Sequence, residues 1–381
     1  MHLRSLSLMN LRNHEQTDVE FSPVLNIIEG ENGAGKTTIL EGIAICGLSK
    51  SFLPTAETLL IRQGADFYRA SAAALSDLGV PYKIAVQYAS GSRKMIGSSI
   101  GENLSPKEII GEMPLIILSP DFKEITFGSP EHRRRFIDMM LSQASKRYAE
   151  ESLNLKRILK QRNNILSQAK QHGTVNEDIL DVWTGSFIDT SAEIAHRRLH
   201  FIAEFAPYFL EAYRQVTSVD EHVEIRYEPD SLPVEITTAS PSLADIEAAY
   251  LAVAKKRKIE ELRRGVTVFG AQKDDLYIGI NGGNAREFAS QGQHKSLLIA
   301  LKTAEFEYLR NAKNEMPVML FDDIFSELDS TRTSRVFKNI LSSGAQTFIT
   351  TTESELLRRS IPEGVDVAFF RVVSGKAERL S

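Results

Sequence analysis

The sequence predicts an α/β fold: a strand-rich core split by a long, mostly helical insertion. Three observations carry this. Apolar, strand-like runs alternate with helical patterns at both ends of the 381-residue chain. One of those runs leads through a glycine-rich loop into a helix. Between about 125 and 265 the apolar residues instead recur at three- and four-residue spacing, the period of a helix. The expected organisation is a first core part over 1–124, a helical arm over 125–265 and a second core part over 266–381.

In order along the chain, Val19 and Phe21 alternate with polar neighbours, and Val24–Gly30 is a short apolar run closed by glycine. A helix should follow from Lys36 to about Cys46. Tyr82–Tyr88 and Leu115–Ser119 read as further strands. Ser129 then suits a helix cap and Pro130 the first helical position. Phe136, Met140, Ala144, Tyr148, Leu155 and Leu159 continue at near-helical spacing. A second helical stretch runs from about Asn176 to Val216, with Gly185 a weak point and Pro207 a kink or break. Val223–Pro229 alternates like a strand. Ser242 with Asp245 has the form of a capping box, opening a helix that ends at Arg264 and Gly265. Leu276–Ile280 and Asn281-Gly282-Gly283 read as a strand and its hairpin turn. A helix over about 293–311, a strand at 318–323, a further helix and strands at 347–350 and 367–373 complete the pattern.

Apolar residues make up 42% and charged residues 25%, a globular composition. The single cysteine, Cys46, allows no internal disulfide and fits a reducing compartment. No apolar stretch suits a signal peptide or a membrane span, so a cytoplasmic protein without a membrane partner is expected. A net charge of −5 argues against a uniformly basic surface. Residues 131–170 nevertheless hold ten Lys or Arg against four acids. That run, and Lys255–Lys258 with Arg263 and Arg264, reads either as a grip on nucleic-acid phosphates or as a solvated helix face. His14, His132 and His294 show no metal-ligand spacing.

Three segments carry chemistry. Gly30–Thr38 matches G-x-x-x-x-G-K-[ST] between a strand and a helix. Gly30, Gly33 and Gly35 let the backbone curl, with Glu31, Asn32 and Ala34 between them, so that N–H groups turn toward phosphate oxygens. Lys36 supplies a charge to the outer phosphates, Thr37 a hydroxyl for Mg²⁺, and Thr38 completes the cradle. The apolar strand 318–323 ends in two acids: Asp322 to hold Mg²⁺ and Asp323 to orient or deprotonate an attacking water. The commonest version of such a site has Glu in the second place. Asp is shorter by roughly 1.5 Å, an error that can cost about 100-fold, so slow hydrolysis is expected. The third segment, Ser290, Gln291, Gly292 and Gln293, precedes a long helix. Taken alone it reads as an ordinary helix cap; beside the other two it reads as a second wall around a phosphate.

The order of these pieces is that of ATP-binding-cassette proteins: phosphate loop, helical arm, Ser-led signature loop, apolar strand ending in Asp, then Ser-Glu-Leu-Asp at 326–329. More closely, the chain resembles the RecF family, an SMC-like branch of that superfamily. The segments that carry the resemblance are LMNLRNHE (8–15), the phosphate loop with ILEGI (39–43), SPDFKEITFGSPEHRRRFID (119–138), SQGQHKS (290–296) and LFDDIFSELD (320–329). It implies an ABC-type ATPase head with an antiparallel β part, using ATP and Mg²⁺, with Lys36, Asp323 and Ser290 as its catalytic groups. It implies a signature loop that serves the γ-phosphate of another subunit, hence an ATP-dependent homodimer. Binding to double-stranded DNA and to single-strand/double-strand gap junctions is implied too. So are slow, DNA-stimulated hydrolysis and help, with RecR and RecO, in loading recombinase in the RecA pathway. Arg12 and Asn13 reach the nucleotide on this resemblance; a solvated turn is the alternative.

The chain departs from the family pattern at Leu53, where Arg is usual, and at Ala271, Gln272 and Lys273, which stand in a G-P-H-R-D-D segment. Thr350, Thr351 and Thr352 stand where transporter ATPases carry a switch His, and Gln63 is the candidate Q-loop residue. The missing switch His and the SQGQ loop count against a transporter ATPase subunit, and a monomeric P-loop kinase has no use for a signature loop. The arm lacks the sustained heptads of a long-armed SMC protein.

Overall fold

A computed structural model describes residues 1–217, 219–233, 241–324 and 342–380. The chain forms two compact units, a head of Met1–Phe122 with Lys302–Ser381 and an arm of Lys123–Leu301.

The head contains two sheets. One is antiparallel, built from β1 (His2–Leu11), β2 (His14–Glu20), β4 (Phe67–Leu75), β5 (Pro81–Ala89) and β6 (Met95–Ser98), in the order β2-β1-β4-β5-β6. The other joins β3 (Leu25–Glu29), β7 (Leu115–Leu118), β11 (Val318–Asp322), β12 (Thr347–Thr351), β13 (Val367–Val373) and β14 (Lys376–Leu380), in the order β14-β13-β3-β12-β11-β7. All of its pairs are parallel except β13 with β14. The helix α1 (Lys36–Leu48) lies between the sheets and is buried on nearly every side, as its lack of a polar face requires. Two glycines let it approach both. A Cβ at Gly42 would come within 2.4 Å of Leu8 on β1, and one at Gly47 within 2.6 Å of Leu115 on β7. Cys46 sits in this layer, where burial pushes its thiol pKa up to about 12 and keeps it inert.

The arm contains α2 (Pro130–Ala144), α3 (Lys146–His172), α4 (Glu177–Val216), α5 (Leu243–Arg264) and a small sheet of β8 (Val223–Glu228), β9 (Asp275–Ile280) and β10 (Gly283–Asn284). The single helical pattern expected from Pro130 onward is divided at Ser145. This residue closes α2 through its N–H to Leu141 O (2.9 Å) and caps α3 through Oγ, which accepts from Tyr148 N–H (3.3 Å). Of the kink or break expected at Pro207, the break does not occur. The helix α4 runs 40 residues through it, with Phe201, Phe205, Phe209 and Tyr213 buried on its inner side. Residues 266–301, expected with the second part of the core, pack with the arm instead. The cause is local: β9 pairs with β8, and Arg133 on α2 grips Asp275 through two bonds of 2.7 and 2.8 Å.

The boundary at Leu301/Lys302 falls inside the helix α6 (Gln291–Lys313). The last helix is α7 (Ser354–Ser360). Among the described residues no helix is long and apolar enough to cross a membrane.

Candidate nucleotide-binding site

The parallel sheet sets out the site. The strands β3, β12 and β11 are adjacent and in register, with Ile28 beside Thr350 and Thr350 beside Asp322. Their carboxyl ends therefore open on one crevice, where α/β sheets take ligands. The loop Gly30–Gly35 leaves β3 there and enters α1. Gly33 (φ 78°) and Gly35 (φ 111°) adopt the left-handed backbone that favours glycine. The cap of α1 is Gly35, which offers no side chain, so the helix begins with backbone N–H groups open to an anion.

The side chains converge at that helix start. Lys36 Nζ donates to Gly30 O (2.7 Å) and Glu31 O (2.9 Å), which holds the ammonium within the curl of the loop. Burial lowers its pKa, and the charges of Asp323 and Asp322 oppose that shift. Thr37 Oγ1 donates to Asp322, 2.8 Å from Oδ1 and 3.1 Å from Oδ2. The two residues are 285 apart in sequence and meet here. A hydroxyl beside a carboxylate is an all-oxygen donor set, the kind that suits Mg²⁺.

Thr350 is the hinge of the arrangement. Its hydroxyl donates to Asp322 Oδ1 (2.7 Å) and accepts from the Asp323 N–H (3.0 Å). It thereby ties together two residues whose roles differ. Asp323 has φ 49°, unfavourable for a residue with a Cβ, and the bond its N–H donates to Thr350 Oγ1 helps hold it there. Burial raises the Asp322 pKa, the hydroxyls of Thr350 and Thr37 counter this, and the charge of Asp323 adds to it. Thr350 carries no charge, and in the sequence it marks only the place of a missing histidine. The available signal was a hydroxyl residue ending the strand between β3 and β11.

A cleft of about 1150 Å³ adjoins the loop, lined by Asn32, Gly33, Thr352, Arg359, Arg371 and Ser374 among others. Glu29 on its floor accepts from Arg371 (2.8 and 3.1 Å) and from the Ser354 hydroxyl. Burial works to raise the Glu29 pKa, but these donors prevail and hold it below the usual carboxylate value.

Arg12, half-buried, turns to α1. It makes a two-bond contact with Glu41 (2.8 and 3.1 Å), a residue of α1 only 2% exposed, and a third bond to Thr55. Ser51 also donates to Glu41 (2.7 Å), and Leu53 follows in the same turn with its N–H on Ser51 Oγ (3.0 Å). Asn13 Nδ2 donates to Gly33 O (3.2 Å) and Ala34 O (3.0 Å). Gln63 is exposed.

The segment Ser290–Gln293 lies in the arm and opens α6. Ser290 Oγ accepts from the Gln293 N–H (3.2 Å), and Gln293 Oε1 accepts from the Ser290 N–H (2.7 Å), a reciprocal capping box. Gln293 Nε2 donates to Glu221 (2.7 Å). Gln291 is exposed and Gly292 half-buried, and among the described residues the Ser290 hydroxyl has no hydrogen-bond acceptor. The Ser-Glu-Leu-Asp segment at 326–329 lies outside the described residues.

The basic run divides sharply. Arg133 and Arg162 are buried in ion pairs with Asp275 and Glu261, Arg134 donates to Asp274 O, and Arg147 bonds Glu151 and Glu193. Lys156, Arg157 and Lys160 are exposed on α3. In the second run Arg257 and Lys258 are engaged with Val268 O and Glu177, and Lys255 and Lys256 are exposed. Among the described residues no group of three or more His, Cys, Asp or Glu forms a metal cluster.

Residues 5–55 match the family model of an AAA domain. The chain is 40% identical to the DNA replication and repair protein RecF of Chloroherpeton thalassium over 93% of its length and 95% of that protein. It is 31% identical to the RecF protein of Heliobacterium modesticaldum over 100% of its length and 99% of that protein. A solved structure of the recombination mediator protein RecF-ATP, of the RecFOR pathway, superposes with a TM-score of 0.89 at 27% identity, covering 100% of this chain and 98% of that one. An Smc head bound to the C-winged helix domain of ScpA shares the fold alone, with a TM-score of 0.55 at 15% identity and coverage of 100% and 97%. The chain belongs to the RecF family of DNA replication and repair proteins.

Proposed function

We propose that the chain is an ATP-gated DNA-binding protein of recombinational repair. The observation that carries this is the meeting of Lys36, Thr37, Asp322 and Asp323 at the open start of α1, within a chain of the RecF family. In this reading Gly30–Thr38 cradles the phosphates of ATP, with Lys36 turning from the loop carbonyls to phosphate oxygens. Thr37 and Asp322 hold Mg²⁺, which when bound neutralises charge on the outer phosphates. Asp323 orients the attacking water, and its short side chain makes hydrolysis slow. Ser290, Gln291, Gly292 and Gln293 of a second copy close on the γ-phosphate, so ATP joins two chains into a homodimer.

Duplex DNA, with single-strand/double-strand gap junctions, is the partner of the dimer. The exposed Lys156, Arg157 and Lys160 supply phosphate contacts on the arm. DNA stimulates the slow hydrolysis, and the assembly works with RecR and RecO to load recombinase. The test is the mass of the protein in solution with and without ATP and duplex DNA. A dimer that forms only with ATP, and duplex affinity that depends on ATP and weakens with salt, are the expected results. Reversing Lys156, Arg157 and Lys160 to Glu should lower duplex affinity uniformly across sequences. A monomer that binds duplex equally well with and without ATP would contradict the proposal.

A further inference from the structure

The phosphate loop is gripped from outside by two hairpin turns, one from each sheet of the head. From the turn between β1 and β2, Asn13 Nδ2 donates to Gly33 O and Ala34 O (3.2 and 3.0 Å). His14, fully buried, places Nε2 3.0 Å from Gly35 O and Nδ1 2.7 Å from Thr17 Oγ1. A carbonyl can only accept, so Nε2 carries the proton and donates. From the turn between β13 and β14, the Gly375 N–H donates to Ala34 O (2.9 Å). The fit is close on both sides. A Cβ at Gly35 would come within 2.5 Å of His14 Nε2, and one at Gly375 within 2.2 Å of Asn13 O.

Three successive carbonyls, those of Gly33, Ala34 and Gly35, thus face the turns. In a trans peptide unit the C=O and the following N–H point in opposite directions. Fixing the Ala34 and Gly35 carbonyls therefore aims the N–H groups of Gly35 and Lys36 away from the turns, toward the open start of α1. We propose that Asn13, His14 and the Gly375 N–H form a clamp that sets the phosphate-binding direction of these two N–H groups before nucleotide arrives. Asn13 and His14 are then positioning residues that act through the loop. The clamp rests on the reading of Gly30–Thr38 as the ATP site.

The test measures ATP affinity and steady-state hydrolysis of the full chain. His14→Phe keeps a ring but removes both nitrogens, and His14→Gln restores an amide donor that reaches the same carbonyl. Asn13→Ala, at an exposed position, carries the test should His14→Phe not fold. His14→Phe and Asn13→Ala should each weaken ATP binding about 10-fold, the worth of one to two hydrogen bonds. KM should rise in step, with kcat within about twofold, because what is lost is binding common to ground and transition states. His14→Gln should recover most of the affinity. Folded variants that bind ATP as the wild type does would overturn the clamp, as would a His14→Gln no better than His14→Phe. Lys36→Ala separates the two ideas. Lost ATP binding there, with no effect from the clamp variants, refutes the clamp alone; unchanged binding in Lys36→Ala refutes the ATP site and the clamp with it.

Discussion

The two helix starts to which the proposed function assigns phosphate are built in opposite ways. The start of α1 has glycine as its cap, so no side chain satisfies its first N–H groups, and the loop before it is held from outside by other strands. The start of α6 is satisfied from within, by the exchange of two bonds between Ser290 and Gln293. One leaves its first N–H groups open; the other is a capped helix. The difference suits the order of events in the proposed mechanism. The first site must capture ATP unaided, whereas the second meets a phosphate already bound to another copy.

The largest effect that tests this contrast is expected at the first start. Lys36→Ala removes a charge held at the loop and should weaken ATP binding about 100-fold, the worth of two charge-assisted hydrogen bonds; calorimetric titration reads it directly. Next comes chemistry without binding. Asp323→Asn should lower turnover by roughly 100-fold or more, yet keep ATP affinity near wild type and prolong the dimer. Loss of nucleotide binding in that variant would show that Asp323 belongs to the binding site itself.

A smaller effect is expected at the hinge. Thr350→Val leaves the Asp323 N–H without its acceptor and takes from Asp322 one of its two hydroxyl donors, Thr37 remaining, so kcat should fall about 10-fold, with recovery in Thr350→Ser. A loss in Thr350→Ser with Thr350→Val unchanged would mean that packing of the methyl group, which valine keeps and serine lacks, is what matters. The smallest is at the second start. Ser290→Ala should cost about 1 kcal/mol of stability, the usual value of a helix cap, while a single chain binds ATP as before. Weakened ATP binding by the isolated monomer would contradict the division of labour between the two starts.

The sequence made the first start legible because its chemistry is local: glycines, a lysine and a threonine in one nine-residue run. The apolar run ending at Asp322 was equally readable. What it did not disclose depends on strands far apart in sequence. Thr350 gains its role by lying beside Asp322 in the sheet, and Gly375 by reaching Ala34 from the far end of the chain. The carboxylate partner of Arg12, Glu41 on α1, lies 29 residues away and is not legible either. The β4 strand escaped notice because its alanine-rich run, Ala70 to Ala74 with Ser71, has weak strand preference. The single helix expected past Ala144 was read from apolar spacing that continues unchanged across Ser145. Among the ten basic residues of 131–170, charge alone could not separate the buried Arg133 and Arg162 from the exposed Lys156 and Lys160.

The central claim is that the two starts meet across two copies of the chain with ATP between them. It is tested most directly by mixing two variants that each lack one start. Lys36→Ala keeps the signature loop but should lose nucleotide. Ser290→Arg should bind ATP yet fail to dimerise, because a bulky cation stands where the partner's phosphate must sit. Each alone should show background hydrolysis with duplex DNA present. In a mixed dimer one composite site is intact and the other carries both changes. By two-fold symmetry and random pairing, recovery should reach at most roughly a quarter of wild-type activity. Energy transfer between labelled variants should report ATP-dependent pairing in the same mixture, also where hydrolysis needs both sites filled. Recovered activity together with pairing is the predicted result. Full activity in Ser290→Arg alone, unchanged by mixing, would contradict the account and leave Ser290 as a helix cap.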